Sequence, residues 1–320
     1  MKRIFVTGAA GFIGYHLCEA LNRRGDFVIG LDNFNSYYDP KLKKQRAVRL
    51  AQLGIELIEA DIGNQALLQK IVQERQITHL AHLAAQAGVR HSLQVPKDYA
   101  DSNLQGFLAI LETCRKFPHI KLTYASSSSV YGLNTKIPFS VEDRTDVPAN
   151  FYAATKKANE LMAHAYHHLY GIATTALRYF TVYGPWGRPD MACYLFATKI
   201  ASGEPIQLFN QGHMRRDFTY IDDIIKGTLA AIDLGASYEI FNLGNNRPVA
   251  LLTLVELLEK HLNQKAITHL LPMQPGEVVE TYADIEKSTK LLHFQPTTSI
   301  EVGTEKFIQW FQTMTPCATH

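Results

Sequence analysis

The sequence predicts an α/β protein in which a doubly wound parallel sheet is followed by a smaller C-terminal α/β lobe. A strand-like run at the start opens into three glycines spaced three apart, Gly8, Gly11 and Gly14. A carboxylate, Asp32, ends the next strand-like run eighteen residues after Gly14. Apolar runs then alternate with segments of helical period until about residue 180, where the rhythm breaks.

Ile4, Phe5 and Val6 form the first strand, and Thr7-Gly8-Ala9-Ala10-Gly11-Phe12-Ile13-Gly14 forms the turn and helix start. Gly8 permits the tight turn. Gly11 lets backbone N–H groups approach a pyrophosphate with no Cβ in the way, and Gly14 lets the new helix press on the strand. The pyrophosphate then sits on a helix N-terminus, whose free N–H groups and dipole offset its charge. Close strand–helix packing alone also asks for glycines, and Asp32 separates the two readings. Phe27–Leu31 reads as the second strand, and a carboxylate at its end accepts hydrogen bonds from both ribose hydroxyls of an adenosine. It also repels a 2′-phosphate, so the cofactor is NAD rather than NADP, and the sheet is of the Rossmann kind.

Asn33–Arg49 is longer than an ordinary strand-to-helix connection and ends in Lys41-Leu42-Lys43-Lys44-Gln45-Arg46, which reads as a solvated basic helix face. Ile55–Ile58, Thr78–Leu83 and Ile120–Tyr124 follow as strands separated by amphipathic stretches. Asp61 closes the third strand, where it either caps the next helix or touches the adenine amine. The fourth ends in His82-Leu83-Ala84-Ala85-Gln86, whose small residues suit a backbone passing close to a flat ligand. After Ile172–Leu177 come a helix Met191–Ala201, a strand Ile206–Phe209, the stretch Asp217–Ala231, a strand Glu239–Leu243 and a helix Leu252–Leu262. The division expected is a dinucleotide-binding domain over 1–180 and a substrate lobe over 181–320, with segments of the second returning to the first. The substrate then binds in the crevice between them.

Composition narrows the partners. With 32 basic and 30 acidic residues the net charge is +2, which offers no field to nucleic acid. No apolar stretch approaches the length of a membrane span. Cys18, Cys114, Cys193 and Cys317 are far apart and read as reduced thiols of a cytoplasmic protein. His164, His167 and His168 include an i, i+4 pair without a carboxylate or third ligand, so they read as exposed helix positions and no metal is expected.

Tyr152-Ala153-Ala154-Thr155-Lys156 opens a helical stretch, Phe151–Tyr170, and the i, i+4 spacing puts phenol and ammonium on one face. An ammonium beside a phenol favours phenolate and makes tyrosine a usable base. Tyr124-Ala125-Ser126-Ser127-Ser128-Ser129-Val130-Tyr131-Gly132 follows the fifth strand, where catalytic groups of open α/β sheets collect. A hydroxyl there can bond a sugar oxygen while the tyrosine takes its proton.

With Ser127, Tyr152 and Lys156 downstream of the glycine turn, and with Arg216-Asp217-Phe218, the chain resembles the extended short-chain dehydrogenase/reductase family from Arg3 to about Phe311. Within it, it is similar to the nucleotide-sugar epimerases. Leu31–Pro40, Ala84–Arg90, Ala125–Asn134 and Phe180–Met191 look most like those of the UDP-glucuronate 4-epimerases. The resemblance implies that Tyr152 is the base, that Lys156 holds the nicotinamide ribose and tunes Tyr152, and that Ser127 orients the sugar hydroxyl. Carbon 4 is oxidised by tightly bound NAD, the 4-keto sugar turns over, and hydride returns to its other face. Gly8, Gly11, Phe12, Ile13, Gly14, Asp32, Asn33, Asp61, Ile62, Leu83, Ala84, Ala85, Asn103, Ser126, Tyr179 and Val182 then line the NAD site with Tyr152 and Lys156.

For the UDP-sugar, Arg216 pairs with the diphosphate, Thr181 helps at the diphosphate or sugar, Gln207 and Phe209 meet uracil, and Gln274 and Glu277 lie near the uridine ribose. Gln86, Ser128 and Ser129 complete the sugar pocket, and Arg90 or Arg188 anchors a glucuronate carboxylate. Sugar 4,6-dehydratases resemble this chain but carry Asp-Glu, and UDP-glucuronate decarboxylases a Glu, where Ser128 and Ser129 stand. A UDP-hexose or UDP-N-acetylhexosamine 4-epimerase differs only in the pocket wall. A non-catalytic NAD-binding scaffold is the alternative from another class, and the retained Tyr152 and Lys156 count against it. A homodimer packed through Ser92–Phe117 and Phe151–Tyr170 is also implied.

Overall fold

The computed structural model describes residues 1–273 and 278–314. In its first part strands and helices alternate: β1 (Arg3–Thr7), α1 (Phe12–Arg23), β2 (Phe27–Asp32), α2 (Pro40–Gln52), β3 (Glu56–Glu59), α3 (Gln65–Glu74) and β4 (His79–His82). A short helix α4 (Pro96–Tyr99), then α5 (Gly106–Lys116), β5 (Lys121–Ser127), α6 (Phe151–Tyr170) and β6 (Ala173–Tyr179) complete the alternation. Among the described residues these strands join Tyr238–Leu243 in one parallel sheet of seven, ordered Tyr238–Leu243, β6, β5, β4, β1, β2, β3. The direction of winding reverses at β1, between β2 and β4, where an open sheet leaves a crevice at its carboxyl edge.

Both faces of the sheet are buried, which explains why its strands read as continuous apolar runs rather than alternating ones. Ile4 and Val6 pack on one face with α1 and the helix Ile221–Leu234, while Phe5 packs on the other with α3, α5 and α6. Asn150 caps α6 by accepting from the Ala153 N–H at 2.9 Å, and Gly171, at φ +67°, ends it.

β5 runs on to Ser127, past the expected end at Tyr124, because Ala125, Ser126 and Ser127 pair in register with Leu177, Arg178 and Tyr179 of an equally extended β6. Asp217–Ala231 divides: Phe218–Tyr220 pairs with Thr181–Tyr183, and a helix Ile221–Leu234 begins directly after it. The rest of the second half consists of small sheets, Ile206–Leu208 with Thr268–Leu270 and Arg215–Arg216 between Val249–Ala250 and Glu280–Thr281, packed with helices Ala192–Ala201, Leu251–Leu262 and Ile300–Met314.

The basic run in α2 departs from a solvated face. Lys41, Lys44 and Gln45 are exposed, but Lys43 and Arg46 are buried. Lys43 Nζ donates to the backbone and side-chain oxygens of Asn35 at 2.9 and 2.6 Å. Arg46 Nη1 donates to Ala10 O at 2.8 Å and to the Tyr38 hydroxyl at 2.9 Å, and Nη2 donates to Trp186 O at 2.6 Å and Gly187 O at 3.2 Å. One guanidinium thus fastens the glycine turn to the segment that opens the second half of the chain. Helical spacing put it on the inner side of α2, a side that charge counting does not see.

Replacing Arg46 by Ala leaves these four oxygens without their donor. Thermal or urea unfolding should show a loss of about 2–4 kcal/mol, and a loss within experimental error would mean that the turn is held without it.

Candidate active site

The carboxyl ends of β1, β2, β4, β5 and β6 open into a cavity of about 700 Å³ that continues between the sheet and the second half of the chain. Gly8, Gly11, Phe12, Ile13, Gly14, Asp32, Asn33, Asp61, Ile62, Leu83, Ala84, Ala85, Gln86, Ser126, Tyr179 and Val182 line it at one end. Ser127, Ser128, Ser129, Tyr152, Lys156, Thr181, Arg188, Arg90, Gln207, Phe209 and Arg216 continue the lining. Gln274 and Glu277 lie outside the described residues.

The glycine turn has the shape a pyrophosphate needs. A Cβ on Gly14 would stand 2.1 Å from Gly8 O, one on Gly11 2.9 Å from it, and one on Gly8 2.6 Å from Ala84 N, with Gly8 already at φ +71°. Gly11 caps α1 without a side chain, so the first-turn N–H groups keep no side-chain partner. Asp32, 6% exposed, accepts from Ala10 N at 3.0 Å and from Phe34 N at 2.9 Å, which fixes its carboxylate at the end of β2. These residues fit a dinucleotide: a cradle closed to any Cβ, free helix-terminal donors and a fixed carboxylate.

Asp61 does not cap α3; Asn64 does, accepting from Leu67 N at 3.1 Å. Asp61 instead accepts from Gly63 N at 2.8 Å and from the Asn33 amide at 2.9 Å, and it stays on the cavity wall. Asn103 lies behind the wall. Its amide bonds Gln86 N at 2.8 Å, Gln86 O at 3.0 Å and Thr155 Oγ1 at 3.0 Å, so it holds Gln86 in place rather than lining the cavity.

On the reacting side, Ser127 and Tyr152 line the same stretch of the cavity, with Ser127 near enough to act on the phenol's pKa. Ser127 Oγ also donates to Ser129 Oγ and accepts from Ser129 N, each at 3.1 Å. Burial pushes the Tyr152 phenol above its ordinary value, while Ser127 and the Arg188 charge pull it back. Lys156, expected to tune that phenol, has its hydrogen-bond partner on β5. Its Nζ donates to Ala125 O at 2.8 Å, and burial lowers its pKa to about 8. The amine's hydrogen bond thus goes to the end of β5, and the side chain stays on the cavity wall with Tyr152.

Arg188 pairs with Asp190, Nε to Oδ1 at 3.1 Å and Nη2 to Oδ2 at 2.5 Å, and the Tyr37 hydroxyl donates to Asp190 Oδ2 at 3.0 Å. Tyr37 and Asp190 also line the cavity, as does Asn35, and sequence reasoning passed them over. The signal was the unusual length of the Asn33–Asp39 loop, which only the fold shows to cross toward Asp190. The Arg90 guanidinium lies 4.3 Å over the Phe209 ring. Arg216 Nη1 donates to Arg215 O at 2.9 Å and Val279 O at 3.0 Å.

Among the described residues no group of three His, Cys, Asp or Glu side chains has the spacing of a metal site. His164 and His168 are exposed, whereas His167 is half-buried, stacked on Tyr238 with ring centroids 5.3 Å apart. Cys18, Cys114 and Cys193 are buried free thiols, and no helix of the described residues is long and apolar enough to cross a membrane.

Residues 4–244 match the family model described as NAD dependent epimerase/dehydratase family. The chain is 50% identical over 326 residues to UDP-glucuronate 4-epimerase 4 of Arabidopsis thaliana, an alignment covering 96% of this chain and 75% of that protein. The UDP-glucuronic acid 4-epimerase of Bacillus cereus, solved with UDP-glucuronic acid and NAD, superposes with a TM-score of 0.90 at 36% identity, covering 98% of this chain and 100% of that one. A UDP-glucose 4-epimerase of Thermotoga maritima, solved with UDP-glucose, superposes with a TM-score of 0.88 at 29% identity, covering 98% and 99%.

The lowered pKa of Lys156 has a stability signature. Below pH 8 both states hold its proton and the folded state bears the full cost of burying the charge. Between pH 8 and 10.5 the folded state releases the proton while the unfolded state keeps it, so stability rises with pH across that window. Compared with Lys156→Met in nucleotide-stripped protein, urea unfolding should move by about 3 kcal/mol in favour of wild type between pH 7 and pH 10.5. A difference that does not change with pH would mean that the buried amine keeps an ordinary pKa.

Proposed function

The chain belongs to the NAD dependent epimerase/dehydratase family, and we propose that it is the member that inverts carbon 4 of a UDP-hexuronate, interconverting UDP-glucuronate and UDP-galacturonate. The observation that carries the reading is that Ser127 at the end of β5, Tyr152 and Lys156 line one cavity with the glycine turn, together with a serine loop without a carboxylate. The names of its relatives support the same substrate.

Gly8, Gly11, Gly14 and the amides of α1 hold the pyrophosphate of NAD, Asp32 its adenosine ribose, and Lys156 its nicotinamide ribose. Bound there, NAD supplies a reversible hydride acceptor for carbon 4. Tyr152 takes the proton of the sugar's 4-hydroxyl and returns it after the ring has turned over, and Ser127 orients that hydroxyl. Partial burial raises the pKa of the phenol, while Ser127 and Arg188 oppose the rise, so its neighbours help tune the base. Ser128 and Ser129 offer hydroxyls only, which supports epimerisation over elimination of water or loss of carbon dioxide.

Oxidation at carbon 4 of a glucuronate makes a β-keto acid, which loses carbon dioxide when the carboxylate bond lies parallel to the carbonyl π system. An epimerase therefore holds that carboxylate near the ring plane. Arg188, close enough for its charge to act on Tyr152, is placed better for this than Arg90, which lies on Phe209 at the uridine end. Asp190 already pairs with Arg188 and competes with the substrate's carboxylate, which eases its release and recapture as the ring turns. Arg216 meets the diphosphate, and Gln207 and Phe209 the uracil. We read residues 1–180 as the NAD domain and 181–320 as the UDP-sugar lobe, and the enzyme as a cytoplasmic homodimer. Exposed Leu108, Leu161, Leu169 and Tyr170 on α5 and α6 support that pairing.

Incubation with UDP-glucuronate, followed by NMR, should give UDP-galacturonate. Tyr152→Phe should cut turnover by at least roughly 100-fold while UDP-sugar still binds; a variant with a few per cent of activity would remove Tyr152 as base.

Arg188→Ala should weaken UDP-glucuronate by about 1.5–3 kcal/mol, some 10- to 150-fold, while UDP-glucose changes much less. It should also release some UDP-4-keto-pentose, detectable by mass spectrometry. Equal losses for both sugars without pentose would take Arg188 out of the carboxylate site.

A further inference from the structure

Three side chains of α6, one turn apart, reach the end of β5. Tyr152 lines the cavity beside Ser127, Lys156 Nζ donates to Ala125 O, and the hydroxyl of Ser126 donates to Glu160 Oε1 at 2.7 Å. Ala125 and Ser126, the two β5 residues before Ser127, are thus each held by a turn of the helix that carries the base. Glu160 is 1% exposed and is met by Arg178 of β6, 2% exposed, whose Nε and Nη2 donate to Oε1 and Oε2, each at 2.8 Å.

Arg178 also reaches the other end of the serine segment. Its Nη1 donates to the Tyr131 hydroxyl at 3.0 Å, with the guanidinium 4.9 Å from the centre of that ring. Tyr131 in turn donates to Asn242 Oδ1 at 2.7 Å, and Asn242 Nδ2 donates to Phe139 O at 2.8 Å. One ion pair therefore grips Ser126 with its carboxylate and Tyr131 with its guanidinium, and the hydroxyls of Ser127, Ser128 and Ser129 lie on the span between. Neither member is among the described residues that line the cavity. Stability alone gives little reason for the pair, because an ion pair in a dry interior costs about as much in desolvation as it returns, and apolar side chains of the same volume often do as well.

We infer that Glu160 and Arg178 are positioning residues for the reaction, setting Ser127 against Tyr152 by holding both ends of the segment that carries Ser127. This rests on the roles given to Tyr152 and Ser127 above. A catalytic hydrogen bond is lost with displacements well under an ångström or two, so the pair acts on turnover more than on binding. The groups around the Tyr152 phenol are Lys156 on its own helix, Ser127 and Ser129 from the serine loop, the Arg188–Asp190 pair, and Tyr99 of α4, whose ring lies 6.1 Å away. If Ser127 drifts, the phenol loses the neighbour that lowers its pKa, so Tyr152 titrates at higher pH and the acid limb of kcat moves the same way.

Ser126→Ala is the first test, since it removes the Ser126–Glu160 bond and leaves the ion pair in place. Expected, in enzyme brought to full NAD content as read by absorbance, are a fall in kcat of at least about tenfold with KM for UDP-glucuronate within about twofold, a protein that still unfolds cooperatively, and an acid limb shifted to higher pH. Glu160→Gln, which turns an amide donor toward Arg178, should lose more; should it fail to fold, Ser126→Ala decides. Ultraviolet titration of Tyr152, assigned by difference from Tyr152→Phe, reads the same displacement without turnover. An inactive wild type would thus overturn the activity and leave the titration to judge the pair. Wild-type kcat and an unshifted Tyr152 titration in folded Ser126→Ala would overturn the inference, as would a loss confined to KM or to NAD content.

Discussion

The carbonyl oxygen of Gly8 stands where any side chain on Gly14 would have to be, 2.1 Å from such a Cβ. That contact presses the first turn of α1 against the end of β1, and the rest of the site follows from it. With the helix so close, its unpaired amides open at the reversal point of the sheet rather than onto solvent. The Ala10 amide can then reach Asp32 and the Ala10 carbonyl can reach Arg46. A single backbone approach thereby couples the nucleotide cradle, the selecting carboxylate and the anchor to the second half of the chain.

The elements of the first half were legible because local signals and long-range packing agree there. α6 has the bounds Phe151–Tyr170 expected of it, since Asn150 and Gly171 supply both caps within the local sequence. Strand ends were less legible: β5 continues to Ser127 only because β6 lies beside it, and serines carry no strand signal of their own. Most residues expected to line the site do line one cavity. Where expectation and structure part, a polar side chain's partner is chosen by the fold and not by its neighbours in sequence. Asn103 turns to Gln86, Lys156 turns to Ala125 O, and Arg46 turns inward from a run that reads as solvent-facing.

Charge is managed in this site by pairing rather than by exposure. The half-buried Arg188 has Asp190, the buried Glu160 has Arg178, and the buried Asp32 has two backbone amides, so each of these charged groups has a partner within the protein. Lys156 is the exception, with one carbonyl as its partner and a pKa of about 8, and it stands beside the phenol on the cavity wall. An ammonium with one acceptor keeps donors to give to further hydrogen bonds in the cavity.

The strand Tyr238–Leu243 closes the open edge of β6, pairing along six residues from Thr174 to Tyr179. During synthesis the nascent chain therefore carries a long unpaired parallel edge until three quarters of its length has left the ribosome. Such an edge invites pairing with another chain. The order of the sequence thus assigns this enzyme a late, all-at-once completion of its sheet, and with it a particular need for dilution or chaperone cover while the last strand is still being made.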